Sequence, residues 1–186
     1  MHATTNPFVK ATSLHPAGLR SLRTQLVEVA LLSAAVLVPA MSHLFAIPVF
    51  VLLPMHWAVL VAGLTLGWFG GLLVGLLAPI LSFATTGMPM APILPAMVLE
   101  LAAYGVVPAL LHRRAGLNSY LALALGLVTG RLAFTAIMYA LGRTSAPLLG
   151  FLENAFASGL WVAAVQIALV PLLAYGILNA LNLQDS

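Results

Sequence analysis

Seven Lys or Arg and four Asp or Glu are all the formal charge in this 186-residue chain. They make up 6% of its residues, where a soluble domain carries about 25%, so no fold of this chain presents a hydrated surface on every side. With 62% hydrophobic residues and a mean hydropathy of +1.11, the chain must be solvated by lipid. Each spanning helix needs roughly 20 apolar residues, so the length beyond the polar start allows about six short spans. The expectation is an all-α membrane protein, a compact bundle of six transmembrane helices. That length leaves no room for a separate catalytic or nucleotide-binding domain, and energy for coupled work would have to come from another subunit.

The formal net charge is +3 and the pI near 9.8. In such a chain the basic residues read as flanking charges that orient helices in a bilayer. No Lys/Arg cluster with interleaved aromatics is present, which excludes nucleic acid as an expected partner. Cysteine is absent, so disulfides and thiolate metal sites are excluded. Residues 1–24 read as a polar, moderately basic cytoplasmic segment, and residues 25–183 as the membrane domain. The apolar run from Leu26 lacks a convincing cleavage site and reads as a retained helix.

The first span is expected from about Gln25 to Met41, ending near Pro39. Pro48 and Pro54 break the apolar stretch 42–54, which suggests a loop packed on the bundle. A second span from His56 to Trp68 turns through Gly-Trp-Phe-Gly-Gly into a third ending near Phe83. The stretch 85–95 holds three prolines and a glycine and reads as a loop. The fourth span runs from Ala96 to Leu111 and the fifth from Ser119 to Leu141. After a loop over 142–154, the sixth runs from Ala155 to Leu181 with Pro171 inside it as an expected kink.

Six spans put both termini on one side, together with the 67–71 turn and the 112–118 loop. Lys10, Arg20, Arg23, Arg113 and Arg114 fall there, five of the seven basic residues. The positive-inside bias then makes both termini cytoplasmic and the three longer loops external. Long loops on a small bundle often carry function, here capture of something from outside.

Glu100 and Arg131 are ionisable residues inside spans, where such groups face the bundle interior or a cavity. On consecutive antiparallel spans their depths differ by only about 3 Å, so their side chains are able to meet. Two readings stand: a buried ion pair that fixes packing, or a ligand for a polar group on a substrate. His56 and Trp57 sit at the outer entry of the second span, either beside a ligand or as interfacial residues. Met88, with Met55 and Met90, suits an adaptable pocket wall or plain core. Tyr104, Tyr139, Asn154, Trp161 and Gln166 have polar tips that need partners when buried. Glu28, near the inner end of the first span, reads as a partner for a basic residue rather than a ligand contact. The histidines have no metal-site spacing, and no catalytic motif is present. Ala30 and Ala34, the series Gly63, Gly67, Gly71 and Gly75, and Gly126 with Gly130 are small-residue spacings that let helices approach closely.

The segment Leu53-Pro54-Met55-His56-Trp57, the later Gly67-Trp68, Gly75-Leu76-Leu77-Ala78-Pro79, Gly87-Met88-Pro89, Glu100-Leu101-Ala102-Ala103-Tyr104-Gly105 and Gly130-Arg131 together resemble the substrate-binding S components of energy-coupling factor (ECF) transporters. The resemblance covers most of the chain. It implies a six-helix subunit without its own ATPase in a prokaryotic cell membrane. Such a subunit would bind a vitamin or related micronutrient near the outer loops and the last three spans, and work with a transmembrane scaffold and two ATPase subunits. The residues expected at the substrate are His56, Trp57, Met88, Glu100, Tyr104, Arg131, Tyr139, Asn154 and Trp161, and the resemblance implies scaffold docking through Ala30 and Ala34. No cofactor is implied. Met1-His2 lacks the context of the nickel and cobalt members, so no metal site is carried over. The alternatives are a structural membrane protein of the cell-shape type and an intramembrane enzyme.

Overall fold

The structure, a computed structural model, describes residues 22–45 and 53–183. Most of the expected N-terminal segment and of the proline-broken loop therefore lies outside the described residues. Five helices make up the rest: α1 (Leu22–Leu44), α2 (Pro54–Thr86), α3 (Leu94–Arg113), α4 (Ser119–Ala140) and α5 (Leu148–Leu183). All five contain stretches long and apolar enough to cross a membrane, and the described residues contain no strand.

The helix boundaries follow local chemistry. α1 runs through Pro39 to Leu44 rather than ending at the proline. Membrane helices tolerate such a residue because neighbouring groups re-satisfy the backbone it frees. α4 starts at Ser119 as expected, because the Asn118 side chain accepts a hydrogen bond from the Leu121 N–H at 2.7 Å. α5 starts at Leu148, several residues before the expected Ala155. Pro147 is suited to a helix start, and nothing after it breaks the helix. Glu153 and Asn154 thus belong to α5 and not to a loop.

The expected second and third spans both fall within α2. At its middle, Gly67 has φ 82° and ψ −178°, a conformation open essentially to glycine alone. Eight residues of continuous helix would separate Gly63 from Gly71 by about 12 Å. A Cβ on Gly71 would instead lie 2.8 Å from the Gly63 Cα, so the chain doubles back at Gly67. The break leaves helix-end carbonyls without intrahelical donors. Arg113 supplies them from the end of α3: its Nη2 donates to the carbonyls of Leu64 at 2.8 Å and Thr65 at 2.9 Å.

α2 is the centre of the bundle, packed against α1, α3 and α5, while α4 packs against α3 and α5. Between apolar helices in lipid, close backbone approach replaces the hydrophobic effect as the source of affinity. Gly63, Gly71 and Gly105 provide it. A Cβ on Gly63 would sit 2.5 Å from the Gly105 carbonyl oxygen, and Cβ atoms on Gly71 and Gly105 would overlap each other's backbone. The buried core spreads outward from this contact through Val59, Leu60, Leu64, Val74, Leu101 and Leu123 to Val170 and Ala174.

Candidate functional site

α3 and α4 are antiparallel neighbours, and close packing brings their charged residues together. At Gly130 a Cβ would meet the Tyr104 ring and lie 2.9 Å from the Glu100 carbonyl oxygen, so only glycine lets the helices approach this far. Arg131, the next residue, places Nη1 3.1 Å from Glu100 Oε1. The Tyr104 hydroxyl donates to the same carboxylate oxygen at 2.7 Å. One helical turn separates Glu100 from Tyr104, so a single face of α3 carries both partners. The Glu100 side chain is buried, and in lipid a buried carboxylate needs such compensation.

Arg131 also forms part of the wall of a partly open cavity of about 170 Å³. The cavity lies between α4 and α5, with His56 of α2 and Tyr104 of α3 at its base. The His56 and Tyr104 rings meet at 5.4 Å between centroids. On the α5 side, Gly159 leaves room for the guanidinium, with a Cβ there coming 3.4 Å from Arg131 Nη2. Further along α5, Gln166 lines the cavity, and most of the remaining wall is apolar. His56 and Gln166 are only 4% and 2% exposed. Neither His56 Nδ1 nor Gln166 Nε2 has a hydrogen-bond partner among the described residues. Buried polar atoms are rarely left so, which marks the cavity as a place where a polar partner is missing.

Of the nine residues expected at a substrate, His56, Tyr104 and Arg131 line this cavity and Glu100 stands behind it holding two of them. The other five lie elsewhere. Trp57 faces the opposite way, into an apolar groove between α1, α2 and α5 that Ala34 also lines. Met88 is exposed on the α2–α3 connection. Tyr139 uses its hydroxyl on the Ala146 carbonyl at 2.6 Å and packs edge-on against Phe151. Asn154 is exposed on α5, and Trp161 is 70% exposed. Gly159 and Gln166 were not expected at a substrate. A glycine in an apolar helix carries no signal of the space it leaves, and Gln166 differs from other polar-tipped residues only once α5 is placed. No group of three or more His, Asp or Glu able to hold a metal occurs among the described residues.

Fold and site define a multi-pass helical membrane protein with a cavity among its helices, one wall of which carries an ion-paired arginine. A family model described as "ECF transporter, substrate-specific component" matches residues 24–182. No curated protein and no solved structure gives a match. The chain belongs to the substrate-specific components of ECF transporters. It is a transport component and not an enzyme, and the family implies a small-molecule substrate and ECF-module partners.

Proposed function

We propose that this subunit captures a vitamin or related micronutrient in the cavity between α4 and α5, from the outer face of a prokaryotic cell membrane. The observation that carries the reading is the convergence of Arg131, His56 and Gln166 on one largely apolar cavity. Ligand sites have this make-up: an apolar wall for affinity and a few placed polar groups for orientation. Captured substrate is passed to a transmembrane scaffold driven by two ATPase subunits. Arg131 contacts the substrate directly, and Glu100 holds the guanidinium in place. Native mass spectrometry of gently purified protein tests the capture. A retained small molecule supports it, and protein that is empty and unaffected by a vitamin panel in thermal-shift assays contradicts it.

The reversal at Gly67 supports reading α2 as two crossings, which gives six crossings in all with both termini cytoplasmic. The chain has no native cysteine, so single introduced cysteines report sidedness cleanly. With two crossings in α2, Phe45→Cys and Met88→Cys label from the same, outer side as Ser145→Cys, and Ala115→Cys does not. Labelling of positions 45 and 88 from opposite sides would refute the sixth crossing. Scaffold docking is assigned to α1, where Ala30 is exposed and Ala34 half-buried. Ala30→Trp should preserve substrate binding while blocking ATP-driven uptake, and lost binding in that variant would contradict this assignment.

A further inference from the structure

The walls of the cavity say what kind of molecule fits, given that it is the capture site just proposed. Charge is the first constraint. Among the described residues Arg131 is the one Lys, Arg, Asp or Glu lining the cavity, and its guanidinium is already paired with Glu100. Residues 46–52, which connect α1 to α2, contain no ionisable side chain to add another. An anionic ligand would bring a charge into a low-dielectric site with no unpaired cation to meet it, a costly arrangement.

Hydrogen-bonding polarity is the second constraint. An amide nitrogen and a guanidinium only donate, while a neutral imidazole nitrogen either donates or accepts. Among the described residues Gln166 Nε2 has no hydrogen-bond partner, and an acceptor would satisfy it. Arg131 beside it asks for the same. His56 Nδ1 takes whichever group its tautomer complements. Size is the third constraint. The cavity is partly open and about 170 Å³, room for a compact ligand body. The rings of His56, Tyr104 and Phe156 on the walls favour a flat, apolar body over a branched polar one.

We infer that the substrate is a compact, uncharged ring compound with a hydrogen-bond-acceptor edge, a ring carbonyl or lactam, set against Gln166 and Arg131. Carboxylates and phosphate esters of similar size are excluded. The substrate therefore enters before any phosphorylation that would trap it in the cell.

The probe is yeast extract separated by ion exchange into neutral, cationic and anionic small-molecule fractions, each added to the purified full chain in a thermal-shift assay. The neutral fraction should raise the melting temperature and the anionic fraction should leave it unchanged. Gln166→Leu removes the donor at similar volume. It should move the half-maximal dose of the neutral fraction about tenfold higher, the factor expected for losing one hydrogen bond in a buried site. If Gln166→Leu fails to fold, Gln166→Glu replaces the donor with an acceptor and should abolish the response. Stabilisation by the anionic or cationic fraction alone, or an unchanged response in the Gln166 variants, overturns this ligand class and leaves the capture reading standing. No stabilisation by any fraction contradicts the capture reading itself, and the ligand class falls with it.

Discussion

α2 and α5 are the two longest helices, 33 and 36 residues, and both are apolar along their length. Their surroundings are nevertheless opposite. In the most apolar stretch of α2, 72% of residues are buried inside the protein, against 28% in α5. Glycine explains part of the difference. Gly63, Gly71 and Gly75 in α2 each bring α3 backbone too close for a Cβ, while Gly150 and Gly176 in α5 face open space. The same residue type thus joins backbones in one helix and only thins the surface of the other. The cavity lies where the two regimes meet: a tightly joined block of α2, α3 and α4 supplies His56, Tyr104 and Arg131, and the loosely held α5 supplies Gly159 and Gln166. Fixed polar groups on one side and a less constrained wall on the other suit a site that must both orient a ligand and release it.

The largest expected effect comes from forcing the tight block apart. In Gly105→Leu the first added carbon would overlap the Gly71 backbone, which no rotamer relieves, so no folded protein should be recovered by size-exclusion chromatography. The matching change in the loose helix, Gly176→Leu, meets open space and should stabilise the protein by about 0.5–1 kcal/mol. Equal tolerance at the two positions would erase the contrast between the helices. Next comes the ion pair. Glu100→Leu leaves the guanidinium of Arg131 uncompensated and should cost about 3–5 kcal/mol in equilibrium unfolding, with binding lost as well. Arg113→Ala should cost about 2 kcal/mol by the same measurement, because the carbonyls of Leu64 and Thr65 lose a charged donor at the helix break. Its binding affinity should change little if the block holds, since Arg113 does not line the cavity.

Gly159→Ala has as small an effect on stability as Gly176→Leu, and its two readouts should move in opposite directions. Replacing a mid-helix glycine by alanine stabilises by about 0.5–1 kcal/mol. The added methyl enters the space beside Arg131, and affinity should fall about tenfold. Calorimetry and a thermal melt on the same variant check both. Affinity that rises together with stability would show that the cavity at Gly159 is not where the ligand sits.

The parts of this architecture that depend on composition and punctuation were readable in the sequence. Scarce charge required a membrane, and the Gly-Trp-Phe-Gly-Gly segment marked a turn that appears as the reversal at Gly67. The meeting of Glu100 and Arg131 followed from rise per residue on antiparallel neighbours. Proline proved a weaker guide where it was read as a stop, because a membrane helix can absorb it: α1 continues past Pro39, whereas Pro171 lies inside α5 as expected. The site was legible only in part. His56, Tyr104 and Arg131 differ chemically from their neighbours, whereas the rotation of α5 about its axis decides that Gln166 faces inward and Trp161 outward. The few polar residues of α5 are scattered among apolar ones on every side, so no clear periodicity shows which face is buried. Arg113 likewise reads as an orienting charge, and its contact with a helix break in α2 depends on tertiary packing alone.

The central claim is that substrate sits between α4 and α5 on the polar groups of the tight block. An experimental structure of the protein with its co-purified molecule tests it most directly. The account predicts density in that cavity, against Arg131, His56 and Gln166. Density in the apolar groove beside Trp57 instead, with the cavity between α4 and α5 empty, would contradict it.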